Sequence, residues 1–496
     1  MRFTFKMGLQ ALLVFLFSAH VSAFWRMPCR ARSGLARIDP LVSNGTLSEH
    51  AHALHGSSGF STTAGYDALI AGECTSCEVS QDKSAYWTPA LYFQNSATGE
   101  YTLVDQIGGM LAYYLLYPNS DNTTLSAFPA GFEMISGDTN QRNFTYPVPD
   151  IQKSLWNVAP YNTQAFLRQA ALGFNCLNYA ITPEGSLYRH FLPDKSYLDA
   201  HCTDGVRFEL MFPSCWNGVD KTSVDKKSHV AFPSEVMTGD CPSDFPVRLP
   251  SLFYETIWNT YEFAGINGTF MLANGDPTGF GYHGDFMMGW DEAFLQSAVD
   301  TCTNLSGQIE DCALFTIQDS DVYSNCNVTL PSALAHENVV GAVTTLPGNP
   351  AIAYGPGYAS GAAAGGKSAT ATAGGGTIGT TQSAMTLSYS AGSSLASTES
   401  YMPGGIFAVS TGASFSAAVE AVATSTAAPS SSAIYSPPVA AAPSFFSTAY
   451  NTISANEVEE ILWVEEVVTV TQAETATVTV PAARKRHLHH GHGRRF

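Results

Sequence analysis

The sequence predicts a mainly β domain, sandwich or jelly-roll-like with a few short helices, followed by a disordered C-terminal tail. Short aromatic and β-branched runs recur between Gly, Pro, Asn and Asp residues, as in antiparallel β proteins. All ten cysteines lie between Cys29 and Cys326, where disulfides can hold such a domain together. From residue 331 the composition shifts to Ala, Gly, Ser, Thr and Pro, which cannot bury enough apolar surface to offset chain entropy.

The first 23 residues are typical of a secretory signal peptide. Arg2 and Lys6 precede an apolar run over 9–17, and Val21-Ser22-Ala23 is a small-x-small cleavage pattern. The apolar run is too short for a membrane span, and no later segment reaches about 18 apolar residues. We therefore predict a secreted protein, extracellular or in the cell wall, without a transmembrane segment.

The cysteines and the glycosylation sequons agree with an oxidising compartment. An even number of cysteines in a secreted chain indicates a disulfide framework, whose connectivity the sequence leaves open. Six N-x-S/T sequons predict a glycoprotein. They begin at Asn44, Asn122, Asn143, Asn267, Asn304 and Asn327.

The charge distribution argues against nucleic acid as a partner. The net charge is −19, and five Arg and Lys residues are concentrated at the far C-terminus, so the folded part is acidic. Binding to a phosphate backbone requires a basic face.

Residues 24–330 read as one disulfide-stapled globular domain. Strands are predicted over 86–93, 110–117, 205–212 and 268–272. Two segments could be helical: 250–262, and 291–301, where Asp291 can cap the helix and the apolar residues form one stripe.

The remainder of the chain reads as a stalk and a tail. Residues 331–455 have the composition of a flexible stalk, which is either a spacer or a segment inserted into the cell wall. Within 456–496, a β-prone segment over 457–480 could dock as an extra strand or stay extended. Arg484-Lys485-Arg486 resembles a dibasic cleavage site, and the His-rich stretch after it could bind a metal or serve only as a basic tail.

The stretch 212–233 is predicted to form two strands joined by a loop, because Pro and Gly residues break any helical period. A disulfide from Cys215 is predicted to hold this loop in place. Trp216 is either a stacking or a core aromatic. Lys227 and His229 are the polar members of the stretch 212–233, and one interpretation is that this stretch forms the floor of a cleft.

Three histidines occur together at His50, His52 and His55. In a strand, His50 and His52 point to one face, as two metal ligands or two sugar contacts would. A metal would require a third ligand, such as His229 or His283. The alternative is that these side chains only hydrogen-bond loops.

A second cluster follows the Cys74-Thr-Ser-Cys77 pair, whose cysteines could bond to each other or to separate partners. Asp82 and Lys83 precede Tyr86 and Trp87. Aromatic rings flanked by charge suit a carbohydrate ligand, since the ring stacks on the apolar sugar face. The alternative is that Tyr86 and Trp87 belong to a strand in the core and that Asp82 and Lys83 form an ion pair at the end of this strand.

A Gly-rich loop over 274–290 holds Asp276, His283 and Asp285. The two carboxylates could form the acid/base pair of a glycosidase, or they could be Asx-turn residues. Arg207 begins the strand that leads into 212–233, and it could bind a uronate carboxylate or tie a loop to the sheet.

Long ordered motifs carry a resemblance to a known family. They include EHAHALHGSSGF at 49–60, CTSCEVSQDKSAYWTPALYF at 74–93, DGVRFELMFPSCWNGVD at 204–220, KSHVAFP at 227–233 and NGDPTGFGYHGDFMMGWD at 274–291. Over residues 30–313 the chain resembles the fungal secreted family of domain of unknown function nineteen-ninety-six. Ala51, Ala53 and Ala273 depart from residues common in that family. The resemblance implies a secreted fungal protein, often with a Ser/Thr-rich extension, and it implies no activity or cofactor.

Three functional hypotheses follow. In the first, the protein binds or acts on wall or plant polysaccharide. A lyase would use Arg207 or Lys227 to neutralise a uronate and His229 or Tyr282 as base, and a hydrolase would use Asp276 and Asp285. In the second, His50 and His52 bind a metal with His229 or His283. In the third, the domain is structural, without turnover.

Overall fold

The structure is a computed structural model. It describes residues 23–121, 124–146 and 152–359, together with the backbone of two further segments, 445–454 and 457–464. Residues 1–22 of the predicted signal peptide (1–23), residues 360–444 of the predicted stalk (331–455), and the predicted cleavage site and His-rich stretch near the C-terminus lie outside the described residues.

Sixteen strands and five short helices form the part described within residues 23–359. The strands are β1 (Ala23–Cys29), β2 (Gly34–Ala36), β3 (His52–Gly56), β4 (Ala85–Pro89), β5 (Leu91–Asn95), β6 (Tyr101–Leu103), β7 (Gln106–Leu116), β8 (Glu133–Gly137), β9 (Leu172–Cys176), β10 (Val206–Met211), β11 (Cys215–Trp216), β12 (Val230–Ala231), β13 (Val247–Arg248), β14 (Ser251–Trp258), β15 (Gly268–Leu272) and β16 (His283–Met287). The helices are α1 (Tyr66–Ile70), α2 (Gln164–Ala170), α3 (Lys195–His201), α4 (Glu292–Thr301) and α5 (Ser320–Ser324), and 3₁₀ turns cover Lys153–Leu155, Thr260–Phe263 and Ile309–Asp311.

Two five-stranded antiparallel sheets pack face to face. The first sheet has the order β1-β7-β14-β10-β9, and the second has the order β2-β3-β4-β16-β8. A Cβ added to Gly284 of the second sheet would lie 2.6 Å from Leu210 of the first, and the Tyr254 hydroxyl donates to the Asp285 carbonyl across the interface (2.9 Å). The predicted sandwich is therefore confirmed. Two three-stranded sheets, β12-β11-β13 and β15-β5-β6, complete the domain.

Each large sheet is also buried on its outer face. Beyond the first sheet an apolar cluster includes Tyr113, Phe166 and Phe253, and beyond the second another includes Leu54 and Trp87. Successive strand residues point to opposite faces, so His52 lies on the same face as Leu54. His283 and Asp285 lie on the same face as Met287, another member of that cluster. The outer face of the second sheet thus carries polar groups inside an apolar layer.

All ten cysteines are paired. The disulfides join Cys29 to Cys77, Cys74 to Cys326, Cys176 to Cys202, Cys215 to Cys241, and Cys302 to Cys312. The two cysteines of the C-x-x-C pair bond to separate partners, one of the two alternatives that the sequence left open. As predicted, Cys215 is held by a disulfide, and it lies in the small sheet that β11 forms with β12 and β13.

Several elements match the sequence-based predictions, and one does not. The strand predicted over 268–272 is β15, and the helix predicted over 291–301 is α4, where Asp291 accepts from the Phe294 backbone N–H (2.8 Å). The helix predicted over 250–262 is wrong, because this segment forms strand β14 and a 3₁₀ turn. Strand β14 is central in its sheet and buried on both faces, so apolar residues occur on both of its faces and its sequence lacks the alternation of a half-buried strand.

The described part extends beyond the predicted domain end. Residues 331–359 continue from the domain, and the Ala353 N–H donates to the Gly275 carbonyl (3.1 Å). Farther along, Phe445–Ser454 and Glu457–Val464 pair as an antiparallel hairpin, which belongs to a unit separate from the domain. No helix among the described residues is long and apolar enough to cross a membrane.

Candidate metal centre

Three buried histidines meet at the outer face of the second sheet. His52 begins β3, His50 precedes it by two residues, and His283 begins β16. The ring centroids of His50 and His52 lie 4.3 Å apart, and those of His50 and His283 lie 5.1 Å apart. Strand β4 lies between β3 and β16, so side chains more than 200 positions apart in the chain converge on one face.

The donor atoms of the three rings are close enough to share one ion. One ring nitrogen from each of the three histidines can be chosen so that all lie within 4.8 Å of one another, and Nε2 of His50 lies 3.1 Å from Nε2 of His283. Metal–imidazole bonds of about 2.0–2.1 Å place tetrahedral ligands roughly 3.3 Å apart. The widest pair would therefore have to close by no more than about 1.5 Å to bind an ion.

The hydrogen bonds fix which nitrogen of His283 can bind. Its Nδ1 lies 2.9 Å from the Gly281 carbonyl, and because a carbonyl only accepts, Nδ1 carries the proton. The neutral ring then presents the lone pair of Nε2 to His50. A second-shell carbonyl that orients the ring in this way is typical of metal-binding histidines.

His52 is the least satisfied of the three side chains. Both of its ring nitrogens are buried without a hydrogen bond of standard geometry to the described residues. The backbone of Ile38 favours its charged form, but burial and the neighbouring His283 outweigh this effect. An uncompensated buried imidazole costs free energy, which a bound cation would recover.

The electrostatics keep all three rings neutral. Burial is the largest cause and lowers the pKa of His50 and His52 well below the ordinary value, with the neighbouring histidines adding to the effect. Burial also lowers the pKa of His283 to about 4, against the Gly281 carbonyl. At neutral pH the three rings therefore have lone pairs available, the form that a metal requires.

An open cleft of about 550 Å³ reaches this cluster at His50. Its walls carry the amide side chains of Asn140, Asn274 and Asn349, and two tyrosines, Tyr354 and Tyr358, whose side chains are 64% and 61% exposed. His50 is buried but lines the cleft, whereas His52 and His283 lie behind it. A ligand on an ion held here could therefore come from solvent.

Two carboxylates share the outer layer with the histidines. Asp285 lies two residues beyond His283 on the same face, and one of its oxygens has no hydrogen-bond partner among the described residues. Burial, with Asp39 nearby, raises the pKa of Asp285 well above its ordinary value, and Lys227 opposes this shift. Burial raises the pKa of Asp39 to about 6. Both carboxyl groups can hold a proton closer to neutral pH than an exposed aspartate can.

The aromatic cluster around residues 82–87 lies in the interior. Tyr86 donates from its hydroxyl to Asp82 (2.5 Å) and lies 2.7 Å from the Tyr114 hydroxyl. Trp87 is fully buried against Phe60 (4.8 Å between ring centroids). These rings occupy core positions, the alternative that the sequence left open, and only the neighbouring Lys83 is half-buried. His55 faces the other side of its strand from His52, next to Gln106 (3.4 Å).

Arg207 lies on the outer face of the first sheet and is engaged by carboxylates of its own chain. Its Nη2 lies 2.6 Å from Glu209, and its Nε lies 3.3 Å from Glu255. Glu255 in turn accepts from the Tyr113 hydroxyl (2.5 Å). Arg207 therefore ties a loop to the sheet, the alternative that the sequence left open, because its partner Glu209 also accepts a hydrogen bond from the Leu187 backbone N–H.

Asp276 is held within its own loop. Its two oxygens accept from the backbone N–H groups of Thr278 (2.8 Å) and Gly281 (2.6 Å), and it forms an ion pair with Arg142 (3.4 Å). This is the Asx-turn role that the sequence offered as the alternative to catalysis. Tyr282, the other candidate base, is fully buried.

The polar members of the 212–233 stretch point in different directions. The Trp216 indole N–H donates to the Asp220 carbonyl (2.7 Å), and His229 Nδ1 lies 2.9 Å from the Ser223 hydroxyl. Lys227 donates to the Gly137 carbonyl (2.6 Å), and Gly137 is the register partner of His283. Of the two third ligands that the sequence offered, His283 is the one that joins His50 and His52.

Sequence reasoning missed four residues that line cavities. Tyr354 and Tyr358 lie in a Gly- and Pro-rich stretch that composition assigns to the stalk, and the two tyrosines within it were the available signal. Asn349 lies in the same stretch. Arg168 is on helix α2 and lines a second cavity, and no pattern in the sequence distinguishes it.

The fold and the site define a disulfide-stapled β-sandwich with a buried three-histidine cluster at the edge of an open cleft. The family described as "Domain of unknown function (DUF1996)" matches residues 39–290, 252 of the 496 residues, and the chain belongs to that family. The matched region contains all three histidines. No curated protein and no solved structure matches the chain.

Proposed function

We propose that this domain binds one divalent transition metal ion through His50, His52 and His283, and that the ion keeps an open coordination position toward the cleft. The observation that carries the proposal is the convergence of three neutral, buried imidazoles with donor atoms within 4.8 Å. A buried cluster of this kind is unfavourable unless something compensates its polar atoms.

The donor set restricts the metal. Imidazole nitrogen suits Zn²⁺ and Cu²⁺, whereas Mg²⁺ and Ca²⁺ require oxygen ligands. No cysteine competes as a ligand, because all ten are in disulfides. Three protein ligands with a fourth position for water or substrate are characteristic of catalytic rather than structural zinc sites.

The cleft supports a carbohydrate as the ligand. Exposed tyrosine rings can stack on the apolar face of a sugar, and amide side chains can bind its hydroxyls; Tyr354, Tyr358 and three asparagines supply both kinds of group. We accordingly propose a secreted, metal-dependent protein that acts on or binds wall or plant polysaccharide. The signal-peptide pattern, the sequons and the five disulfides support the extracellular compartment.

A bound ion would supply two kinds of chemistry. It lowers the pKa of a bound water toward about 7, and it polarises an oxygen of the substrate. Asp285, on the same face as His283, is the nearby group in the chain that could exchange a proton. Lyase and hydrolase reactions both fit this set of groups. A domain that bound no metal and no glycan would support the structural hypothesis instead.

The test is a zinc or copper titration of the chain without residues 484–496, so that the His-rich tail cannot bind the ion. We expect one ion per chain and a rise in the midpoint of thermal unfolding, because a ligand that binds only the folded state stabilises it. His52→Leu and His283→Gln are expected to weaken metal binding by about 100-fold or more, whereas His336→Gln, at an exposed histidine, leaves it unchanged. Equal binding by all these variants would contradict the proposal.

A screen of wall and plant polysaccharides then tests the carbohydrate part. Wild-type protein with and without the metal is incubated with each glycan, and binding and the release of reducing or unsaturated ends are measured. Activity that requires the metal is the expected result. Metal binding without any glycan binding or release would leave the metal proposal intact and overturn the carbohydrate one.

A further inference from the structure

A second cavity of about 450 Å³ lies beside the cleft that reaches His50. Gly137, Asp138 and Gln141 line this cavity, whereas Thr139, Asn140 and Arg142, from the same segment, line the cleft. The proposed metal site does not use this second cavity.

Arg168, in the last turn of α2, lines this cavity. Its guanidinium makes no hydrogen bond or ion pair with the described residues, although burial is sufficient to lower its pKa against the effect of Asp225 and Asp138. A guanidinium has five N–H donors in a fixed fork. The cavity therefore holds a half-buried cation with unused donors.

The other charged groups of the cavity are engaged elsewhere. Asp225 accepts from the backbone N–H groups of Lys227 (3.1 Å) and Ser228 (2.9 Å) and from the Ser223 and Ser228 hydroxyls (2.8 Å each). Asp138 accepts from the Asn140 N–H (3.0 Å) and from the Tyr358 hydroxyl (2.9 Å). Lys227 donates to the Gly137 carbonyl. Lys227 uses only one of its three N–H donors in this way, so the cavity offers a ligand the guanidinium fork of Arg168 and the remaining ammonium donors of Lys227.

The cavity wall also includes apolar and aromatic side chains, beside the polar Gln141, Gln169 and Ser228. Phe144, Leu172 and Phe280 line it together with His190, whose ring stacks on Phe144 with 5.2 Å between centroids. A wall of this kind packs against the flat or apolar face of a ring. A guanidinium opposite such a wall matches a planar carboxylate attached to that ring.

We propose that this cavity binds a small organic carboxylate, with the Arg168 guanidinium holding the carboxylate and Phe144 and Phe280 packing against the ring that bears it. The ring could belong to an aromatic acid or to a sugar acid, since both present the same charged group. This site is independent of the metal, and its failure would leave the three-histidine proposal unaffected.

The test compares acids with their uncharged counterparts on the full wild-type chain in the presence of EDTA. The probes are 4-hydroxybenzoate against 4-hydroxybenzamide, and methyl glucuronoside against methyl glucoside, with binding followed by calorimetry. We expect one acid to bind about tenfold or more tightly than its neutral counterpart, because charge-assisted hydrogen bonds are the stronger kind. The acid that binds identifies the source of the ring. If neither acid bound more tightly than its neutral counterpart, the proposal would be overturned.

A variant locates the site. Arg168→Gln removes the charge and is expected to weaken binding of the acid about tenfold or more, whereas Arg30→Gln, at an exposed arginine on another part of the surface, leaves binding unchanged. If Arg168→Gln does not fold, Arg168→Lys keeps the charge without the planar fork and is expected to bind more weakly than wild type. Unchanged binding in every Arg168 variant that folds would contradict the assignment.

Discussion

Two buried polar clusters lie on the outer faces of the two sheets, and they differ in how their groups are partnered. On the first sheet, Arg207 pairs with Glu209 and Glu255, and Tyr113 donates to Glu255. On the second sheet, His52 has no hydrogen bond of standard geometry to the described residues, and the ring nitrogens of His50 and His283 lie near each other and, for His283, near the Gly281 carbonyl. The first cluster balances its cation against two carboxylates by ion pairs within the chain, although Oε1 of Glu255 accepts no hydrogen bond from the described residues. The second cluster is not compensated in this way, and this distinguishes a candidate site from a structural network.

The largest expected effect comes from breaking the compensated cluster. Arg207→Met leaves Glu209 and Glu255 buried without their cation, which should lower the free energy of unfolding by about 3–5 kcal/mol, as measured by urea denaturation with the disulfides intact. Arg30→Met, at the exposed pair with Glu78, is the control and should change it by no more than about 1 kcal/mol. A loss for Arg207→Met as small as the control's would show that the first cluster is dispensable.

The pH dependence of the metal-free protein separates the two clusters further. The pKa of His283 falls to about 4 in the folded state from about 6.5 in the unfolded chain, so between these values the unfolded chain binds more protons. Its contribution to stability is therefore complete above about pH 6.5 and is lost as the pH falls toward 4. Over that window wild type should lose roughly 3 kcal/mol more than His283→Gln.

Denaturation of both proteins at several pH values in EDTA provides the measurement. The raised pKa values of Asp39 and Asp82 act in the opposite direction in the same window, and they are common to both proteins, so they cancel in the difference. Because His283 helps to lower the pKa values of His50 and His52, the difference reports His283 together with its coupling to these two rings. Parallel curves for the two proteins would mean that His283 titrates normally.

The smallest effect has the opposite sign to the first. His52→Leu removes a buried ring whose nitrogens lack standard partners, so the metal-free protein should be unchanged or more stable by about 1 kcal/mol. The same denaturation in EDTA measures it. A loss of several kcal/mol would instead place His52 among the groups that hold the fold, as Arg207 does.

The sequence predicted the sandwich because its signals are local. The aromatic and β-branched run at 268–272 became β15, and Asp291 capped α4 as a side chain at that position should. The segment 250–262 failed for a physical reason: β14 is covered on both faces, so its pattern lacks the alternation that marks a half-buried strand.

The site depended on topology, which the sequence does not display. Spacing placed His50 and His52 together, but the choice between His229 and His283 required the strand order β3-β4-β16. Likewise, Arg207 pairs with Glu255 because Glu209 and Glu255 are register partners on neighbouring strands. Sequence separation gives no information about such pairs.

X-ray absorption spectroscopy of the zinc-loaded chain without residues 484–496 tests the three-histidine centre most directly. The proposal predicts about one ion per chain with three imidazole nitrogens at about 2.0–2.1 Å, and one fewer in His52→Leu. A substoichiometric ion, or an imidazole count that is the same in wild type and His52→Leu, would contradict it.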